Sequence, residues 1–250
     1  MRFVRDRTVH ACLLLIKRLH YGDFYLQWRP AEELRSQRMR MARQILGDWC
    51  GASIGLGQDC SRVYMLMMNI LRLNEEAIPG AFAEIGVYKG HTARILVRLA
   101  GPRWVYLFDT FSGFEASDLA LERGVDAVYA PPGIFKDTSV EGVRRTLGGA
   151  TENVTFCVGQ FPASAAGLPE TERFALVHFD ADLYEPARSA CEFFYPRLSP
   201  GGMMIFHNYN DPDYPGTKRA VDEFFSSKPE SLVAIPDQCG SAAVVRQKGA

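Results

Sequence analysis

Beginning near residue 80, short apolar runs alternate with amphipathic stretches, and this alternation constrains the fold more than any other feature of the chain. Residues 81–86, Ala-Phe-Ala-Glu-Ile-Gly, read as a short strand, and 91–100 as a helix. Residues 104–109 read Trp-Val-Tyr-Leu-Phe-Asp, nearly unbroken apolar sequence of the kind buried inside a parallel sheet. A long connection over 110–137 follows. Thr138 and Glu141 then have capping-box spacing, which predicts a helix ending near Gly148 and Gly149. Residues 154–158 and 174–179 are the third and fourth strands. The next helix is expected to start near Pro186 and to stop at Pro200-Gly201-Gly202, with 203–206 as fifth strand and 217–225 as a further helix. Two last runs, 232–235 and 242–246, are close enough in sequence to predict an antiparallel pair. Strand–helix units in series, closed by a hairpin, predict an α/β chain: a doubly wound, Rossmann-like sheet of seven strands with a reversed edge strand.

Ahead of that pattern, residues 1–78 read as a helical segment, an N-terminal helical lid or oligomerisation element before the domain at 79–250. Pro30 with Glu32 and Glu33 opens one helix, whose apolar stripe is Leu34, Met41 and Ile45. Asp59 or Ser61 caps a second, with Val63, Leu66, Met67, Ile70 and Leu71 on one buried face. The formal net charge of −1 conceals an asymmetry: residues 1–44 carry ten basic and four acidic side chains, a net of +6, which leaves −7 for the remainder. A uniformly basic nucleic-acid binder is therefore not expected. The apolar run 11–16 is far shorter than the roughly 20 residues of a membrane span. Lys17-Arg18 follows it where a signal peptide would have small residues. Cys12, Cys157, Cys191 and Cys239 lie among apolar or small neighbours, and the six cysteines show no paired spacing. That usage predicts reduced thiols and a cytoplasmic protein.

In sheets of this kind, ligands bind outside the carboxyl ends of the strands, near the point where strand order reverses. The first strand runs into Glu84-Ile85-Gly86-Val87-Tyr88-Lys89-Gly90, a turn whose glycines let a ligand approach the backbone before a helix N-terminus. Its Gly-x-x-x-Gly spacing is not the Gly-x-Gly-x-x-Gly of dinucleotide sites, which disfavours a nicotinamide oxidoreductase. Asp109 ends the second strand, where an acid can accept from a ribose diol or cap the following turn. Asp180 and Asp182 follow the fourth strand, and His207 and Asn208 the fifth. Asp180, His207 and Asn208 are expected to converge, either to hold a divalent ion or to share proton transfer. His91 is read as a helix-start residue and His178 as a strand histidine.

These residues bring a family into view. The stretch Ile78-Pro79-Gly80-Ala81-Phe82-Ala83-Glu84-Ile85-Gly86-Val87 resembles the first motif of the macrocin O-methyltransferase family of class I S-adenosylmethionine-dependent methyltransferases. Leu107-Phe108-Asp109-Thr110-Phe111-Ser112-Gly113-Phe114 is similar to its second. Phe135-Lys136-Asp137-Thr138 and Val158-Gly159-Gln160-Phe161-Pro162 are similar to the next two. Asp180-Ala181-Asp182-Leu183-Tyr184-Glu185, the run 195–202 and Ala220-Val221-Asp222-Glu223-Phe224 complete a likeness from about Arg62 to Phe225. The resemblance implies methyl transfer to a hydroxyl of a sugar or related natural product. It implies an S-adenosylmethionine pocket lined by Glu84, Gly86, Gly90, Asp109, Ser112 and Gln160. It gives Asp180 the role of metal ligand and general base.

One departure matters. Where the family has two adjacent aspartates, both metal ligands, this chain has His207-Asn208. An imidazole and a neutral amide in place of two anionic oxygens weaken a Mg2+ site without abolishing it, since hard cations favour charged oxygen. Asp180 and Asn208 stay as candidate metal ligands, while Asp180 and His207 are the candidate catalytic pair, with His207 as base if no metal lowers the hydroxyl pKa. The alternative is an S-adenosylmethionine-binding homologue whose methyl transfer is lost or repurposed. The resemblance also implies self-association, with the N-terminal helices as interface. Those helices and residues 115–137, including an ordered turn at 129–133, are expected to cover the acceptor.

Overall fold

The computed structural model describes residues 59–122, 130–131, 133–149 and 151–248. The expectations for the first N-terminal helix, for a lid or interface built from it, and for Tyr129 and Pro132 lie outside the described residues. Within them, helix α1 (Cys60–Glu75) is capped by Asp59, whose side chain accepts the backbone N–H of Arg62 at 3.1 Å. Its buried stripe is Val63, Leu66, Met67, Ile70 and Leu73. Leu71, expected on that stripe, is only half-buried, because at 100° per residue it falls on the flank of a face centred on Leu66 and Ile70.

Five parallel strands form the body of the sheet: β1 (Ala81–Ile85), β2 (Val105–Asp109), β3 (Val154–Val158), β4 (Phe174–Phe179) and β5 (Leu198–Phe206). Strands β6 (Val233–Ala234) and β7 (Ala242–Val245) extend it in the order β3-β2-β1-β4-β5-β7-β6. The reversed strand is β7, antiparallel to both β5 and β6, so the true edge is the two-residue β6. Every residue of β1 and of β4 is buried, as expected of central strands covered on both faces. Strand order reverses between β1 and β4. There the Asp180 N–H donates to the Ile85 carbonyl at 2.8 Å, and the backbones run so close that a Cβ on Gly86 (φ +84°) would sit 2.1 Å from the Asp180 carbonyl oxygen.

Several helix ends differ from expectation for local reasons. The connection 110–137 contains helix α3 (Ala116–Glu122), after α2 (His91–Leu99). Helix α4 (Val140–Leu147) is capped by Ser139, whose hydroxyl accepts from the Gly142 N–H at 3.1 Å; Thr138 is engaged elsewhere, donating to the Tyr88 carbonyl. Helix α5 (Tyr184–Phe194) begins two residues before Pro186, which its first turn tolerates because no intrahelical N–H bond is lost there. Pro200-Gly201-Gly202, read as a stop, lies inside β5. The β4–β5 register shifts there, and a Cβ on Gly202 would crowd the Phe174 and Ala175 carbonyls at 3.1 and 3.0 Å. Helix α6 (Pro215–Phe225) starts on its proline.

Phe194 of α5 is the hub of the core on one face of the sheet. Its ring lies 4.9 Å from those of Phe174 and Phe193, 5.4 Å from Phe161 and 5.8 Å from Phe108. The thiols of Cys157 and Cys191 are buried in the same cluster, and burial pushes that of Cys157 up to about 11. Beyond β4, buried Asp182 ties the sheet to its helices. Its carbonyl accepts from the Thr217 hydroxyl at 2.6 Å, and its carboxyl accepts from the Asn208 amide. Burial, then the charge of Asp180, raises the Asp182 carboxyl well above the ordinary carboxylate range. Both Asp182 (φ +65°) and Asn208 (φ +59°) hold left-handed backbone, and both line the cavity at the carboxyl ends of the strands.

Two outcomes follow from this packing. Phe194→Ala is expected to cost about 3–5 kcal/mol, measured as a lowered urea midpoint, which is a large share of the roughly 5–15 kcal/mol typical of a domain. The Asp182 carboxyl is raised in the folded state, so wild type loses stability as pH climbs above the unfolded value of about 3.9. Asp182→Asn carries no such loss. Its melting temperature is expected to exceed that of wild type at pH 8, with the gap closing near pH 4.

Candidate functional site

A cavity of about 310 Å³ opens at the carboxyl ends of β1, β2, β4 and β5, over the reversal of strand order. The expected residues Gly86, Asp109, Gln160, Asp180, His207 and Asn208 line it. Three others do not. Glu84 is wholly buried in the sheet, its carboxylate 2.9 Å from Nδ1 of His178, its register partner on β4. Gly90 backs onto Val143 of α4, where an added Cβ would come within 2.8 Å of a methyl. Ser112 is exposed, with its hydroxyl turned to Glu115. The cavity lining thus takes in three of the six residues expected around the cofactor: Gly86, Asp109 and Gln160. Period-two alternation turns Glu84 to the sheet face it shares with His178, while Gly90 lies in the turn after β1 against Val143 and Ser112 in the turn after β2 facing solvent.

Asp109 is placed as expected, though much of its capacity is spent on backbone. Its Oδ2 accepts from the Val87 and Tyr88 N–H groups at 2.7 and 2.8 Å, and Oδ1 from that of Phe111 at 2.7 Å. About four acceptor positions belong to a carboxylate, so roughly one is left for a ligand. The residue therefore shapes the turn after β1 as well as facing the cavity. Gln160 projects from the end of β3 and donates to Asp118 of α3 at 3.0 Å. Burial raises the Asp118 carboxyl. A row of rings forms one wall: Tyr88 and Phe135 at 5.2 Å, Phe135 and Phe114 at 5.2 Å, Phe114 and Tyr214 at 6.1 Å.

The polar centre is Asp180. Its Oδ1 lies 2.6 Å from His207 Nδ1, and its Oδ2 accepts from the Arg62 guanidinium. Burial disfavours charge on Asp180, but Arg62 and then His207 outweigh it and hold the carboxyl below the usual carboxylate range. An ionised carboxylate can only accept, so Nδ1 of His207 carries the proton and Nε2 is the basic nitrogen. Asn208 turns its amide nitrogen to Asp182, which leaves its buried Oδ1 without a partner.

Sequence reasoning missed Arg62 as a site residue. A signal existed: Arg62 stands one turn before Leu66 on the face that continues to Ile70, and a cation entering an apolar stripe requires a buried partner. Tyr88, Asp118 and Phe161 were also missed, because nothing in their spacing distinguishes a cavity wall from core.

Two groups implied by the resemblance can be tested against this geometry. A cavity at the strand ends with aromatic walls, a close-approach glycine and carboxylates suits S-adenosylmethionine, which carries an aromatic base, a diol and a positively charged centre. A divalent metal is not suited. Both Asp180 oxygens are engaged, one by a guanidinium, and the two residues standing in the place of the family's adjacent aspartates supply only an imidazole and one amide oxygen. Among the described residues, no group of three His, Cys, Asp or Glu side chains could hold a metal ion. No helix among them is long and apolar enough to cross a membrane.

The sequence and the fold both have counterparts among known proteins. The chain is 31% identical over 175 residues to the 8-demethyl-8-(2,3-dimethoxy-alpha-L-rhamnosyl)-tetracenomycin-C 4'-O-methyltransferase of Streptomyces olivaceus, covering 62% of this chain and 66% of that protein, just under two thirds of its length. It is 28% identical over 195 residues to the mycinamicin III 3''-O-methyltransferase of Micromonospora griseorubida, covering 67% and 73%. The solved O-methyltransferase NovP shares the fold with a TM-score of 0.62 at 24% identity, over 75% of this chain and 80% of that one. The macrocin-O-methyltransferase (TylF) family matches residues 20–236, from ahead of α1 to past β6. With the strand order, the cavity and the motifs on its rim in agreement with that match, this chain belongs to the macrocin-O-methyltransferase family.

Proposed function

We propose that this chain is an S-adenosylmethionine-dependent O-methyltransferase acting on a hydroxyl of a sugar or related natural-product acceptor, with His207 as general base and Asp180 as its orienting partner. The observation that carries the reading is the 2.6 Å contact between Asp180 Oδ1 and His207 Nδ1 on the cavity wall. Both curated relatives described above are named for methyl transfer to oxygen, which supports the reaction class. Gly86, Asp109 and Gln160 are the residues assigned to the cofactor side of the cavity.

When bound, S-adenosylmethionine supplies a methyl group already activated on sulfonium, so the protein's contribution is positioning and removal of one proton. His207 Nε2 takes the proton of the acceptor hydroxyl as the oxygen gains its methyl group. Asp180 fixes the tautomer through Nδ1–H and stabilises the imidazolium that results. The aromatic row from Tyr88 to Tyr214 offers rings and edges against which an acceptor can lie. The departure at His207-Asn208 is thereby read as an exchange of metal assistance for general-base catalysis.

A second reading, cofactor binding without methyl transfer, draws on the engagement of both Asp180 oxygens. One assay separates the two. Turnover against a panel of glycosides is measured in chelator for wild type and His207→Gln. Wild type is expected to turn over in chelator, and His207→Gln to lose about 10²–10⁴-fold in kcat with S-adenosylmethionine affinity kept. Full activity of His207→Gln together with loss of wild-type turnover in chelator sinks the base assignment. Tight cofactor binding with no turnover on any acceptor establishes the second reading.

A further inference from the structure

Arg62 brings a permanent charge to a place where one is consequential. It stands in the first turn of α1, lines the cavity together with Asp180, His207 and Asn208, and bonds Asp180 Oδ2. Its Nε is buried without a partner. Guanidinium stays protonated at any pH a protein tolerates, and its planar fork offers five donors, so an arm used on Asp180 leaves others for a second oxygen. The Arg62 side chain is only 17% exposed and is bonded to the Asp180 carboxylate, and the carboxylates of Glu84 and Asp237 also act on it. The cation is therefore embedded and compensated, unlike a surface arginine that has swung inward.

The donor set points the same way. A hard divalent ion beside Asp180 needs that carboxylate together with further anionic oxygens. Here one Asp180 oxygen is bonded to a guanidinium, which would repel such an ion from the same side. The adjacent pair supplies only the His207 ring and the partnerless Asn208 Oδ1. Protein-borne charge and metal are alternatives at this point, and the geometry has adopted the former.

We propose that Arg62 is the resident cation of the centre, occupying the place beside Asp180 that a divalent metal would need and excluding metal from it. Its effect on the reaction rests on the methyl-transfer reading given above: a fixed positive charge next to the oxygen that loses its proton, held there through Asp180. The exclusion of metal stands on the geometry alone. Arg62 is a positioning residue in this scheme, since it acts through Asp180.

Binding of Mn2+ alone, read from the free-ion signal in electron paramagnetic resonance, tests the exclusion with no acceptor required. Four full-length proteins are compared: wild type, Arg62→Gln, His207→Asp/Asn208→Asp, and the triple variant combining them, each checked for folding by its circular dichroism melt. Wild type is expected to show no Mn2+ binding below about 1 mM. The triple variant is expected to bind at least tenfold more tightly than the double variant, because the aspartates restore anionic donors while the loss of Arg62 frees Asp180. Arg62→Gln, the gentlest change, is expected to raise affinity at least threefold over wild type and carries the test if the triple variant does not fold. Micromolar Mn2+ binding by wild type overturns the proposal, as does equal affinity with and without Arg62 in both backgrounds. Failure of methyl transfer itself would show in the glycoside assay and leave these affinities unchanged.

Discussion

The close approach of Gly86 to the Asp180 carbonyl is the constraint on which the rest of the site depends. No side chain fits there, since even a Cβ would stand 2.1 Å from that oxygen. With the gap closed, β1 and β4 stay paired to their last residues, and Asp180 N–H bonds Ile85. The chain then leaves the two strands in opposite directions, toward β2 on one side and β5 on the other, as the strand order requires. The crevice between these departures is the cavity. Asp109 secures one lip by gathering the Val87 and Tyr88 N–H groups, and Asp182 secures the other through Asn208 and Thr217.

Charge in this crevice is arranged in compensated layers. Glu84 and His178 pair inside the sheet with no exposure at all, while Arg62, Asp180 and His207 pair at its rim. Buried ions are costly unless each meets its counter-charge, and removal of one member leaves the other stranded. This is why the site cannot be understood one carboxylate at a time. Asp180 is anionic because the Arg62 guanidinium bonds one of its oxygens and the His207 ring N–H the other. Asp182, two residues on, is pushed the other way because burial and Asp180 both oppose its charge. Two aspartates one residue apart in the same short turn are thus pushed in opposite directions, one held by Arg62 and His207 and the other tied to Asn208 and the scaffold.

Family membership and local chemistry carry different information here. Strand order, the Gly86 turn and the acid after β2 are shared architecture, and they say where a ligand sits. His207, Asn208 and Arg62 say what can be done to it. An imidazole oriented by a carboxylate that is itself held by a guanidinium is the geometry on which the proposed proton transfer rests, and its donor set is poor for a hard cation.

By itself, the sequence determined the doubly wound sheet, the reversed strand near the end and the convergence of Asp180, His207 and Asn208. Apolar periodicity and strand-end position are local properties that each segment carries with it. Only the tertiary structure decided how those residues are used. That Glu84 faces His178 follows from register between strands nearly a hundred residues apart in the chain. That Ser139 caps α4 follows from the capture of Thr138 by the Tyr88 carbonyl. The pairing of Arg62 with Asp180 joins a helix ahead of the sheet to the end of its fourth strand, and no local pattern encodes a contact of that span. Composition places charges in a chain, but the low dielectric of a closed crevice, formed when the sheet assembles, decides which of them meet and which must be neutralised.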